Sequence, residues 1–180
     1  MRLNSIFAAA ALTLTLPASA TPAQTAISTY SDQKFGYRVF YPANWEIKPP
    51  TDSEPLFLTS QLEGPTDAFR ENVNLIVKDS GGQSAEMRPF APALVEAYSK
   101  RFADFRQGEI SYVRWNTTEA LQVDFYATVE VKGSNYKLHF LQQFAVIDGL
   151  IYVFTYTADQ ASYDKFAAPA RAILDTTKVK

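Results

Sequence analysis

The chain has 180 residues, of which 47% are hydrophobic, with 17 Lys and Arg against 19 Asp and Glu, one His and no Cys. Its formal net charge of −2 at pH 7 offers no basic face of the kind that nucleic-acid binding needs, so we expect no nucleic-acid partner. Without cysteine there are no disulfides, thiolate metal sites, thiol nucleophiles or cysteine-linked lipid anchors.

The first 20 residues have the pattern of a secretory signal peptide. Arg2 gives a weakly basic start, residues 6–16 are uncharged and rich in Ala, Leu and Thr, and small residues precede a cleavage position after Ala20. This apolar run of about 11 residues is too short to cross a bilayer as a helix, and no later run is long enough. We therefore predict an exported protein, periplasmic or secreted, with no direct membrane anchor.

The mature chain is expected to begin with a flexible lead-in, residues 21–30, followed by a single domain over residues 31–180. Residues 35–41 alternate in polarity and are rich in aromatic and β-branched side chains, which predicts a first strand. Residues 56–62 and 72–77 are two further strand candidates, and the segment between them has the composition of a loop.

The pattern changes to helical spacing over residues 89–105, and Gly108 is expected to end this helix. Four period-two stretches then predict strands at residues 109–116, 120–131, 136–147 and 150–158, with Asp148-Gly149 forming a type I′ hairpin turn. A second helical pattern runs over residues 163–174. Asp159 or Ser162 is available to cap it, and Pro169 is expected to kink or divide it.

The strand over residues 136–147 is apolar on both faces, because Leu138 and Phe140 alternate with Leu141 and Ala145. A sheet buried on both sides needs cover on both sides, and the two predicted helices can supply it. The expected fold class is α+β, an α/β sandwich around a central, largely antiparallel sheet.

No familiar catalytic or phosphate-binding motif occurs in the sequence. His139, the only imidazole, falls in mid-strand and is expected to be packed or on the surface rather than catalytic or metal-binding. Glu119, Asp124 and Glu130 are interpreted as solvated charges, since Asp124 and Glu130 lie about 20 Å apart along one strand. We expect no enzyme activity, no metal and no cofactor. A carboxylate-dependent hydrolase stays as an alternative that requires two converging carboxylates.

Two features are candidate binding residues. Arg70, Glu71 and Asn72 stand at the start of a strand candidate, either as a recognition edge or, as we favour, as caps that satisfy loop backbone groups. Trp45 either seals the end of the sheet, which we again favour, or stacks on a ligand.

Three segments together resemble the PsbP-like and DcrB-related family of extracytoplasmic proteins. They are FGYRVFYPANW at residues 35–45, FRENVNLIV at residues 69–77, and GLIYVFTYTA at residues 149–158, the last followed by YDKF at residues 163–166. The resemblance covers residues 30–178. It implies a compact α/β/α sandwich, with helices on both faces of the sheet, that is also found in a Ran-binding nuclear import factor. It further implies a largely non-enzymatic role in binding, assembly or stabilisation.

The chain departs from this family in two ways. Plant-type PsbP proteins dock on photosystem II partly through a basic N-terminal region, whereas residues 21–33 contain no Lys or Arg. Several bacterial relatives are lipoproteins, and this chain has no cysteine to acylate.

We therefore expect a binding or assembly accessory protein whose partner is an envelope protein or a membrane complex, with its oligomeric state open. One alternative is a small-molecule or ion-binding module with a pocket between sheet and helix. Another is an extrinsic photosystem II-associated protein, if the source is photosynthetic.

Overall fold

The computed structural model describes residues 26–82 and 86–179. The predicted signal peptide, residues 1–20, and the first part of the predicted lead-in, residues 21–25, lie outside the described residues.

The described residues form two helices and ten strands. The helices are α1 (Phe90–Arg101) and α2 (Tyr163–Thr176). The strands are β1 (Ile27–Asp32), β2 (Tyr37–Pro42), β3 (Glu46–Ile47), β4 (Leu56–Thr59), β5 (Asn72–Asp79), β6 (Ala103–Trp115), β7 (Thr118–Val131), β8 (Ser134–Ile147), β9 (Leu150–Asp159) and β10 (Lys178–Val179). Neither helix in this part of the chain is long and apolar enough to cross a membrane.

Seven strands form the larger sheet, in the order β3-β4-β5-β9-β8-β7-β6, and every neighbouring pair is antiparallel. Strands β6 to β9 follow one another as hairpins. The β8–β9 turn has positive φ at both Asp148 (50°) and Gly149 (77°), as a type I′ turn requires. The prediction of a largely antiparallel sheet accompanied by two helices is confirmed.

The buried apolar residues fall into two clusters that follow the alternation of the strands. In β8, Leu138 and Phe140 belong to one cluster, which also contains Leu94 of α1. Leu141 belongs to the other cluster, which contains Ile173 of α2. This division arises because successive side chains of a strand point to opposite faces.

A second sheet of three strands, in the order β1-β2-β10, was not predicted. Residues 27–30, assigned from the sequence to a flexible lead-in, form most of β1, so that assignment is corrected. The segment Ile27–Asp32 is mostly polar and its exposed and half-buried residues alternate. Backbone pairing to β2 therefore positions this strand, and hydrophobic patterning could not have revealed it.

Two predicted boundaries also differ from the structure. Helix α1 ends at Arg101 and residues 103–105 belong to β6, because Phe102 is already extended (φ −105°, ψ 132°) and the chain pairs with β7 from Ala103 onward. Helix α2 runs unbroken through Pro169. Complete burial of Ile173 and Leu174 on the next turn offsets the one backbone hydrogen bond that proline cannot form.

Six tyrosines have a raised pKa, and in each case burial is the main cause. Burial raises the pKa of Tyr98 to about 12, and those of Tyr37 and Tyr156 are raised further. Their hydroxyls donate to acceptors inside the fold, Tyr37 to the Pro55 carbonyl at 2.7 Å and Tyr156 to the Tyr163 carbonyl at 2.9 Å. The native state therefore holds these phenols in the neutral form.

We predict that stability is independent of these groups below about pH 10 and falls as the pH rises above it. The unfolded chain loses phenolic protons near pH 10 while the folded chain retains them. Unfolding is therefore favoured by up to about 1.4 kcal/mol per pH unit for each such tyrosine. Urea unfolding between about pH 8 and pH 11 measures this slope, which Tyr98→Phe should make shallower. A free energy of unfolding that stays constant over this range would contradict the prediction.

Candidate functional site

The predicted triplet of Arg70, Glu71 and Asn72 lies where the β4–β5 connection meets the start of α2. Glu71 is only 2% exposed, and its carboxylate accepts hydrogen bonds from the hydroxyls of Ser60, at 3.0 Å, and Ser162. An ionised carboxylate can only accept hydrogen bonds, so two donating hydroxyls are complementary to it. Glu71 thereby ties the loop after β4 to the residue before α2.

Arg70 and Asn72 are also held by the protein. The guanidinium of Arg70 donates to the Ser60 carbonyl at 2.5 Å and to the Glu46 carboxylate at 2.8 Å, and Asn72 donates to the Arg70 carbonyl at 3.3 Å. The Nη2 atom of Arg70 has no hydrogen-bond partner among the described residues. These contacts agree with the interpretation of the triplet as a structural cap, and a recognition role for it stays a prediction.

Beside this triplet lies a polar cleft of about 450 Å³, which we call the loop cleft. It is lined by Glu63, Gly64, Thr66, Asp67, Ala68, Phe69, Tyr136, Asp159 and Ser162. Its carboxylates hold its own walls together. Asp67 accepts from the backbone N–H groups of Glu63 and Phe69, and Glu63 forms an ion pair with Lys165. Within the described residues no group of His, Asp and Glu side chains is arranged to hold a metal ion.

Trp45 lines a second depression, also of about 450 Å³, between the end of β2 and one side of α2. We call it the tryptophan groove. Its other lining residues are Ile27, Phe40, Tyr41, Pro42, Asn44, Lys165, Phe166, Pro169, Ala172, Ile173 and Thr176. Trp45 is 6% exposed and meets Phe166 edge-on, with ring centroids 6.5 Å apart. Trp45 therefore packs in the core and also forms a wall of an open, largely apolar groove. Whether it serves only to seal the end of the sheet or also stacks on a ligand stays a prediction.

The only histidine is enclosed by two aromatic rings. The ring of His139 lies between those of Tyr126 and Tyr163, with centroid separations of 4.0 and 3.4 Å, and its Nε2 is 2.7 Å from Oδ1 of Asp124. The Tyr163 hydroxyl donates to the other carboxylate oxygen of Asp124 at 3.4 Å. Since both ring faces are covered and one nitrogen is bonded to Asp124, the imidazole is packed within the protein.

Asp124 is consequently not the solvated charge expected from the sequence. Its position in β7 places it on the same face of the sheet as Tyr126 and His139, where the first residue of α2 covers it. Glu119 and Glu130 are exposed, as expected. The sequence shows that residues 122, 124 and 126 form the more polar side of β7. It does not show which strand and which helix pack against that side.

Gly108 makes room for this arrangement. It lies in β6, at an irregularity in the pairing with β7, rather than at the end of a helix as predicted. A Cβ atom at this position would stand 2.5 Å from Oδ1 of Asp124 and 2.9 Å from the Asp124 backbone oxygen. Only a residue without a side chain fits there unless the two strands move apart.

The comparisons with known proteins concern almost the whole described chain. The PsbP family model matches residues 25–179. No curated protein sequence matches the chain.

The solved structures that share the fold include the following three. Cyanobacterial PsbP (CyanoP) from Synechocystis is 15% identical with a TM-score of 0.58, covering 91% of this chain and 99% of its own. A Pseudomonas aeruginosa protein of unknown function, described as a putative regulator, is 15% identical with a TM-score of 0.58, covering 83% and 94%. LpqN of Mycobacterium tuberculosis, described as involved in cell envelope biogenesis, is 15% identical with a TM-score of 0.55, covering 86% and 91%. At this identity the likenesses concern the fold alone.

We predict that Gly108→Ala lowers the free energy of unfolding by about 1–3 kcal/mol, because the new methyl group overlaps Asp124 and must displace β6 from β7. Gly64→Ala is the matched control, since a Cβ there meets nothing within 4 Å, and it should change stability by less than about 0.5 kcal/mol. Urea denaturation of both variants measures the difference. Equal stabilities would contradict the close approach of β6 to Asp124.

Proposed function

Since this chain belongs to the PsbP family, we propose that it is an exported accessory protein that binds an envelope protein or a membrane complex and performs no catalysis. The enclosure of His139 is the main support for the absence of catalysis. The only imidazole of the chain is 8% exposed, is stacked on both faces and is bonded to Asp124, so it is a poor general base for a substrate in solution.

The three carboxylates that a hydrolase could have used also support the non-catalytic part of the proposal. Asp124 is bonded to His139, Glu119 forms an exposed ion pair with Arg88, and Glu130 is exposed near the far end of β7. A glycosidase-type pair requires two carboxylates that flank one bond within about 10 Å. These three side chains have separate partners and surroundings.

Export is supported by the sequence of residues 1–20, which has the basic start, short apolar run and small-residue end of a signal peptide. LpqN, which shares this fold, is described as involved in cell envelope biogenesis. A role in the same compartment is consistent with that description.

The layered arrangement that we propose for the fold, an α/β/α sandwich, suits a binding protein. Helix α1 packs with one hydrophobic cluster of the large sheet, and α2 packs with the other together with the small sheet. With both faces covered in this way, a sheet edge and the tryptophan groove beside α2 are the places proposed for binding another protein.

The first test expresses the tagged protein with its signal segment in its source cells, so that the mature chain, residues 21–180, leaves the cytoplasm. We predict that a crosslinker then joins it to one protein or complex of the membrane fraction. The same chain without residues 1–20 is the matched control and should not capture that complex. Mass spectrometry of the membrane and soluble envelope fractions identifies the partner. Enrichment of nothing above an untagged strain would contradict the accessory role, and reproducible turnover of a substrate would contradict its non-enzymatic part.

The tryptophan groove favours a second candidate function, a small-molecule binding module. Its largely apolar lining and its volume of about 450 Å³ are in the range of ligand pockets. A bound apolar molecule would raise the melting temperature saturably, since a ligand present at about 100 times its Kd stabilises the native state by about 2.7 kcal/mol. A thermal-shift screen of apolar and amphipathic compounds measures this. The absence of any saturable shift would contradict this candidate and leave the accessory role unaffected.

A further inference from the structure

Strand β1 offers a regular, unpaired backbone edge. It pairs with β2 without interruption, from Ile27 opposite Pro42 to Asp32 opposite Tyr37, and within the described residues no strand pairs with its other side. Every second residue of such a strand directs its N–H and C=O groups away from its partner. About half of the backbone hydrogen-bonding groups of β1 therefore face outward.

The other sheet edges in the described residues are short or protected. Strands β3 and β10 have two residues each. Strand β6 has register shifts and exposed charged residues along its length, namely Asp104, Arg106, Glu109 and Arg114. Bulges, charges and shortness are the features that keep an edge from pairing with another chain. Strand β1 has no bulge, Pro, Lys or Arg, and Asp32 at its end is its only charged residue.

The tryptophan groove opens at the beginning of this edge. Ile27, the first residue of β1, is 64% exposed and lines the groove together with Trp45 and Phe166. A strand added beside β1 would reach the groove with the side chains at one of its ends. Recognition by strand addition combines these two elements, since backbone hydrogen bonds provide affinity and pockets for particular side chains provide specificity.

We propose that an extended segment of the partner protein adds to β1 as a further strand and inserts a large apolar side chain into the tryptophan groove. This rests on the accessory role proposed above and names the surface through which that role is performed. The partner segment is uncharged where it lies beside Thr29 and Tyr30 and carries an aromatic or long aliphatic residue at the end near Ile27.

A second copy of the chain is a poorer occupant of this edge. Antiparallel pairing of two β1 strands about a two-fold axis would place Asp32 of one copy beside Ile27 of the other. The groove would then face a carboxylate and a polar turn instead of an apolar side chain. In this full-length register β1 places no large apolar side chain at the groove, whereas a partner segment of different sequence can.

The test uses two pairs of matched variants. Ser28→Pro and Thr29→Pro remove adjacent N–H groups, one directed toward β2 and one directed outward. Loss of an N–H group that bonds to β2 lowers the melting temperature. The variant that keeps the parent melting temperature is therefore the one whose outward N–H group has been removed. Ala172→Glu places a charge in the groove at an exposed position of α2, and Ala168→Glu makes the same change at an exposed position of α2 outside the groove.

A photo-crosslinking residue at Ile27 in the exported full chain captures the partner in source cells, and mass spectrometry maps the attachment site. We expect an extended partner segment with an aromatic or long aliphatic residue near that site. Recovery should fall about tenfold in the outward-facing proline variant and in Ala172→Glu, corresponding to about 1.4 kcal/mol. Ala168→Glu should recover as much partner as the parent. A synthetic peptide of the mapped segment should protect the outward-directed backbone amides within residues 28–31, which alternate with those already bonded to β2, from hydrogen exchange.

Three outcomes would overturn the inference. If the adduct at Ile27 is a second copy of the chain, β1 is a self-association edge. If the partner is recovered equally from all variants, it binds another surface, and the accessory role survives without this interface. If no partner is captured either through Ile27 or in the crosslinking of the tagged chain described under Proposed function, the accessory role fails together with the interface.

Discussion

The large sheet carries apolar side chains on both faces, and the rest of the structure follows from the need to bury both. In β8, Leu138 and Phe140 point to one side and Leu141 and Ala145 to the other. At about 25 cal/mol for each Å² of apolar surface removed from water, leaving either face open would be costly. Helix α1 contributes to one cluster, whereas α2 and the three-stranded sheet contribute to the other. The tyrosines that line these layers stay neutral because the interior disfavours the phenolate.

Two polar clusters, one around the buried Glu71 and one around the half-buried Asp124, fix the start of α2. Ser162, the residue before the helix, donates to Glu71, and Tyr163, its first residue, stacks on His139 and donates to Asp124. The carboxylate of Glu71 thus lies close to the positive end of the helix dipole, where negative charge is favourable. Because buried polar groups have strict geometry, these contacts determine the position of α2 more narrowly than apolar packing alone would.

The position of α2 in turn determines the tryptophan groove. One wall is a side of α2, and the opposite wall is the end of β2 with Trp45. Because α2 makes the polar contacts at its start and also forms one wall of the groove, these contacts help to set the position of that wall. In this structure His139, Asp124 and Glu71 position a helix.

Residue patterns were sufficient for the elements whose burial is periodic. Strands β7 to β9 alternate over ten or more residues, and the turn at Asp148-Gly149 has a residue pair that favours positive φ, so the antiparallel hairpins could be predicted. Strand β1 could not be, because its mostly polar residues are ordered by backbone pairing to β2. The end of α1 was misplaced because Phe102 and Phe105 fit helical spacing equally well, whereas pairing with β7 makes residues 103–105 extended.

The pattern of residues was sufficient to predict a largely antiparallel sheet with two helices and to exclude cysteine chemistry, and it marked Glu71, Trp45 and His139 as candidates. The contacts that these residues make depend on the tertiary structure. The partners of Glu71 lie 11 and 91 residues away along the chain, and Asp124 lies 15 residues from His139. The alternation of residues along a strand predicts on which face of the sheet a side chain lies. The residue that it contacts on that face depends on strand register and helix placement, which are set by the packing of the whole domain.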